Sequence, residues 1–135
     1  MAAEGLMTLR SNYGPKDTMD RLEPEVKAKG LTVFAHVDHA AGAAGVGLSL
    51  RPTDLLRFGN ARGGTPLMQS VQTMGIDLPL KILVWQDDEH RVWMTFLDGV
   101  WLAARYTLSG DITKVLSAVD ALAGRVAESL GDDHS

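Results

Sequence analysis

Between residues 31 and 38 the side chains alternate, with Leu31, Val33, Ala35 and Val37 on one side and Thr32, Phe34, His36 and Asp38 on the other. Period two over this length predicts a strand. Residues 6–11 form a shorter strand candidate, and Gly14-Pro15 then opens a helix, because proline is harmless at the first helical position, where its missing N–H has no partner to lose. Met19, Leu22 and Val26 recur at helical spacing toward Lys29-Gly30, but Pro24 falls among them. An interior proline costs about 3 kcal/mol, so a kink or an early end is expected there.

The small residues over 40–47 predict a connector or a short loose helix. Residues 53–60 read as another strand, running into the glycine-rich stretch 59–64, after which Thr65-Pro66 is expected to open a helix to about Met74 with Leu67, Met68 and Val71 buried. Two apolar segments, 80–86 and 91–97, flank the charged turn Asp87-Asp88-Glu89-His90 and predict a hairpin that makes Trp85 and Trp93 cross-strand neighbours or near neighbours. A short amphipathic piece follows over 100–106. The clearest helix is expected after Ser109-Gly110, where Ile112, Val115, Leu116, Val119, Leu122, Val126 and Leu130 form a continuous stripe, ending in a frayed tail over 131–135. This order predicts an α+β fold, a mostly antiparallel sheet with the long C-terminal helix packed on one face, because each layer must bury one apolar side.

At 135 residues and 45% hydrophobic content, the chain suits one domain over 1–135 with a single sizeable core. A net charge of -4 gives no general basic surface for phosphates, so nucleic acid is not an expected partner. With no cysteine, disulfides, thiol catalysis and thiolate metal sites are excluded. The first residues lack the basic region and apolar stretch of a signal peptide, and no apolar run approaches the ~20 residues of a membrane-spanning helix, so a cytoplasmic protein with no membrane partner is expected.

Val37-Asp38-His39-Ala40-Ala41-Gly42-Ala43, Leu50-Arg51-Pro52-Thr53, Leu56, Phe58-Gly59-Asn60, Gly64-Thr65-Pro66-Leu67-Met68 and Asp77-Leu78-Pro79-Leu80-Lys81 follow one another in an order that resembles the bacterial domain of unknown function 302 family. The resemblance covers roughly residues 6–107 and implies a β-α-β(4)-α layout similar to TATA-binding-protein-like folds, commonly seen as a homodimer. It brings no activity, cofactor or catalytic residue. Gly45 and Arg57 stand where that pattern leads one to expect an acidic and an aliphatic residue, and Asp98-Gly99-Val100 replaces an Asn-Asp-Pro-type turn.

Three groups of residues carry candidate chemistry. His36, Asp38 and His39 lie within four positions, so Asp38 and His39 are candidates for acid–base catalysis; the plainer reading makes Asp38 the cap of the following segment. As a metal site the cluster lacks a third ligand, since His90 sits in a turn and His134 in the tail, and no metal is expected. The stretch Gly59 to Pro66, with Asn60, Arg62 and Thr65, suits a carboxylate or phosphate at a helix start, or is a tight connection only. It lacks the lysine of a phosphate loop, which disfavours nucleotide hydrolysis. Trp85, Trp93, Trp101, Phe96 and Tyr106 line either a cavity, the core or a dimer interface, and Lys81 pairs with an acidic ligand, Asp54 or Asp77. The leading expectation is a dimeric domain that binds or senses an apolar or amphipathic acid near Asp38, His39, Asn60, Arg62, Thr65 and Lys81. The alternatives are a small-substrate enzyme using Asp38 and His39, and a structural or partner-binding dimer.

Overall fold

The computed structural model describes residues 3–78 and 80–107; the helix expected over 109–130 and the tail beyond it lie outside them. Five strands, β1 (Leu6–Arg10), β2 (Thr32–Asp38), β3 (Thr53–Gly59), β4 (Leu80–Gln86) and β5 (Val92–Leu97), form one antiparallel sheet in the order β1-β5-β4-β3-β2. Helix α1 (Pro15–Ala28) joins the two edge strands by crossing one face of the sheet. Its apolar stripe of Met19, Leu22 and Val26 is buried on Leu56, Phe58, Ile82, Val84, Met94 and Phe96, the inward positions of β3, β4 and β5. The fold is therefore α+β, as the alternation of strand and helix periods requires.

Helix α1 runs unbroken through Pro24 to Ala28. Leu22 and Val26, on either side of the proline, are both fully buried, and this packing outweighs the local cost that argued for an early end. Thr18, also fully buried, shares a 2.6 Å hydrogen bond with Ser11 across the start of the helix, so the polar atom on the apolar face is satisfied.

The alternation in β2 does not hold along its whole length. The register shifts between Val33 and Ala35, pairing Val33 with Phe58 but Ala35 with Arg57 and His36 with Leu56. One extra residue reverses the facing of everything after it. Leu31 and Val33 pack toward α1, whereas Ala35 and Val37 turn to the reverse face and His36 takes their place toward the helix. A short helix, α2 (His39–Gly45), follows directly.

Helix α3 (Ala61–Ser70) starts four residues before the expected Thr65-Pro66 opening. The Asn60 side chain caps it, accepting from the Gly63 amide at 2.6 Å, so Pro66 sits in the second turn. A 3₁₀ turn, Gln72–Ile76, occupies the end of the stretch expected to be helical. Together with α4 (Gly99–Arg105) these segments build a second apolar cluster around Leu67, Met74, Leu102 and Ala103. Tyr106 Oη and Arg105 Nε both donate to Asp77 Oδ2 and tie the end of α4 to the segment before β4. At Gly5, whose φ is +83°, a Cβ would come within 2.4 Å of Trp101 Cδ2, so the approach of α4 requires glycine there.

The β4–β5 hairpin turns on Asp87. Its carboxylate accepts from the Glu89 and Arg91 amides, from Arg91 Nε and from Trp93 Nε1, all between 2.9 and 3.0 Å. The Trp93 indole N–H above all, with the Arg91 and Glu89 donors, holds the Asp87 carboxyl well below the usual carboxylate range.

Candidate functional site

The second apolar cluster leaves an opening where α3 meets the end of the sheet. Leu31, Thr32 and Phe34 from the start of β2 form one wall, and Asn60, Gly64, Thr65, Leu67 and Met68 form the other, with Leu78 and Leu80 at the base. The groove encloses about 500 Å³ and is mostly apolar. Its shape follows from local sequence. The bulge beside Phe34 leaves that ring 55% exposed at the rim, and the glycines of α3 remove side chains that would fill the space. Gly63 also protects the cap, since a Cβ there would lie 3.1 Å from Asn60 Oδ1.

Of the residues singled out in the sequence, Asn60 and Thr65 line this groove. Arg62 lies in the first turn of α3 but is exposed and does not line the groove. Asp38 and His39 stand at the opposite end of β2, four and five residues beyond Phe34, a distance of roughly 13 Å or more along an extended chain. Asp38 Oδ1 accepts from the Ala41 amide at 2.9 Å, capping α2, and His39 begins that helix exposed to solvent. Lys81 is half-buried, its Nζ donating to the Asp77 backbone carbonyl at 2.8 Å and not to the carboxylate of Asp77 or Asp54. Loss of hydration lowers its pKa, which the Asp77 charge partly offsets and Arg57 reinforces.

His36 takes partners that the local cluster reading missed. Its ring lies between Asp54 Oδ1, 3.3 Å from Nε2, and Glu23 Oε1 on α1, 3.6 Å from Nδ1. Only the shifted register places a histidine of β2 toward the helix, so spacing in sequence carried no sign of this arrangement. Among the described residues no group of three or more His, Asp or Glu side chains is placed to hold a metal ion.

The reverse face of the sheet carries a second depression of about 480 Å³, walled by Leu6, Thr8, Leu83, Trp85, Trp93 and Thr95. Trp85 and Trp93 are directly paired in the register, with ring centroids 6.3 Å apart, and Trp85 Nε1 donates to Thr95 Oγ1 at 2.8 Å. Phe96 lies in the core, and Tyr106 and Trp101 pack in the second cluster.

Among known proteins, the crystal structure of an uncharacterized conserved protein DUF302 from Bacillus stearothermophilus superposes with a TM-score of 0.83, covering 95% of this chain and 99% of that one at 17% identity, which shows a shared fold. Two curated relatives, each called Fluoride-specific ion channel FluC 1, come from Brucella suis biovar 1 (strain 1330) and Brucella abortus biovar 1 (strain 9-941). Each is 40% identical over 129 residues, 96% of this chain but 51% and 48% of the respective relative. The chain thus spans about half the length of the curated relatives it matches, and no helix among its described residues is long and apolar enough to cross a membrane. The family model described as Domain of unknown function DUF302 matches residues 7–127, and the chain belongs to that family.

Proposed function

We propose that this chain is a small-molecule binding or sensing module that holds an apolar or amphipathic ligand in the groove between the start of β2 and α3. The observation that carries the reading is the groove itself. Its volume of about 500 Å³ falls in the range of small-molecule sites, its walls are mostly apolar, and Asn60 and Thr65 supply polar contacts that would orient a ligand. Binding is preferred to acid–base catalysis because Asp38 is engaged as a helix cap and neither it nor His39 lines the groove.

The module is proposed to act as a cytoplasmic homodimer. Support for self-association comes from β2 as an edge strand of the sheet among the described residues and from exposed apolar side chains on it and in the segment after α2, where Phe34, Val46, Leu48 and Leu50 are 55%, 73%, 67% and 49% exposed. The Brucella relatives extend the reading. We assign the channel activity their name states to the part of them that this chain does not match, and the matched half to a ligand-sensing role attached to it.

The test is a titration with N-phenyl-1-naphthylamine, a neutral apolar dye that fluoresces on leaving water. The expected result is saturable binding of one dye per chain, displaced by a medium-chain alcohol. Absence of saturable binding would overturn the proposal.

A further inference from the structure

A second site emerges on the reverse face of the sheet, independently of the groove. The register sets Arg57 on β3 directly opposite Lys81 on β4. Cross-strand partners share a face, and like charges placed opposite one another destabilise a sheet. Both side chains are half-buried, which weakens the screening that would soften the repulsion. Arg57 Nε is sealed from solvent and has no hydrogen-bond partner among the described residues. Lys81 Nζ has the Asp77 carbonyl, which leaves two of its three N–H donors available. The Asp77 carboxylate is already engaged by Tyr106 and Arg105, and no carboxylate lies within ion-pair distance of Arg57 or Lys81 among the described residues.

Two adjacent, partly dehydrated cations with donors to spare are the complement of an anion. The surroundings select its kind. One step along the same face the register lines up Val37, Leu55 and Leu83, and Leu83 is also a wall of the depression formed with Trp85 and Trp93. An apolar track therefore runs from the cation pair to an aromatic pocket. A guanidinium fork matches the two oxygens of a planar carboxylate.

We infer that Arg57 and Lys81 form a head-group site for the carboxylate of an amphipathic acid whose hydrocarbon lies over Leu55 and Leu83 toward Trp85. Occupation would neutralise the paired charges and cover the apolar track in one event.

The experiment uses decanoate as the probe, below its micellar concentration, followed by tryptophan fluorescence and isothermal titration. Saturable decanoate binding is expected and, with the groove obstructed by Gly64→Leu, at least tenfold tighter than binding of 1-decanol, which has the same tail and no charge. Arg57→Met and Lys81→Met are each expected to weaken decanoate roughly tenfold to hundredfold, the range for losing a charged hydrogen bond. Both variants remove a like-charge contact, so neither is expected to melt below the parent protein, and either suffices should the other fail to fold. Gly64→Leu, which obstructs the groove beside α3, is expected to remove any decanoate held in the groove and to retain the site at Arg57 and Lys81, with one decanoate per chain at the parent affinity. No saturable binding, equal affinity for acid and alcohol, or undiminished affinity in both methionine variants would overturn the assignment. Loss of decanoate binding in Gly64→Leu would move the acid to the groove and overturn it equally.

Discussion

Filling the groove from within α3 separates ligand binding from stability. Gly64 lies inside the helix and lines the groove, and a Cβ built there meets only Met68 Cε, at 3.9 Å, an ordinary contact. Its backbone is outside the left-handed region, so a side chain adds no strain. Glycine costs a helix interior about 0.8–1.0 kcal/mol relative to alanine, and leucine is nearly as good a helix former as alanine. Gly64→Ala is therefore expected to stabilise the fold by about 0.9 kcal/mol, a rise of roughly 4 °C in melting temperature for a domain of this size. Gly64→Leu is expected to give a similar gain, increased by whatever apolar surface its side chain covers in the groove. The two variants part on the dye. Alanine should leave binding close to that of the parent protein, while leucine, projecting toward Met68 and the Phe34 wall, should weaken it at least tenfold. Thermal unfolding by circular dichroism and dye titration on the same samples supply both readings. Lower stability in either variant would refute the description of space at Gly64, and undiminished dye affinity in the leucine variant would refute the groove as the binding site.

Other expectations follow from the fold. Leu22→Ala removes a fully buried side chain from the contact of α1 with the sheet and should cost about 2–5 kcal/mol in urea unfolding; a cost below 1 kcal/mol would contradict the core described. Asn60→Ala should destabilise by about 1 kcal/mol through loss of the α3 cap and weaken the dye by loosening the groove wall, whereas an unchanged urea midpoint would show that the cap contributes nothing. The Asp87 carboxyl titrates lower in the folded chain than in the unfolded one, so its contribution is present above the unfolded value of about 4 and is lost as pH falls toward the folded value. Asp87→Asn should thus lower stability at neutral pH and flatten the acid limb of the stability profile below about pH 4; an acid limb as steep as that of the parent would show that the Trp93 and Arg91 contacts do not favour the ionised form.

What the sequence made legible was whatever depends on neighbours within one element. The stripe of Met19, Leu22 and Val26 identified the buried face of α1, and the segments around Asp87 gave the hairpin with Trp85 opposite Trp93. Proline signals proved ambiguous because their meaning depends on position. Thr65-Pro66 resembles a helix start, yet Asn60 makes the better cap and the proline is tolerated one turn later. The alternation over 31–38 is continuous in the sequence, and nothing in the pattern marks an extra residue at Phe34. That single bulge turns His36 toward Glu23 and Asp54, sends Ala35 and Val37 to the other face, and leaves Phe34 at the groove rim. The candidate site was legible only in part for the same reason. Asn60 and Thr65 belong to the α3 end and follow from the glycine-rich stretch and the helix start it signals, whereas the juxtaposition of Arg57 with Lys81 depends on the register between strands more than 20 residues apart in sequence.

The central claim, that this family member binds a small apolar or amphipathic molecule beside α3, is tested most directly by ¹⁵N–¹H correlation spectra recorded during a titration with N-phenyl-1-naphthylamine. Saturable shifts are expected at the amides of Leu31, Phe34, Gly63, Gly64 and Met68, with the amides of Asp38 and His39 unmoved. Unperturbed amides around the groove, or saturable shifts centred on Asp38 and His39 instead, would contradict it.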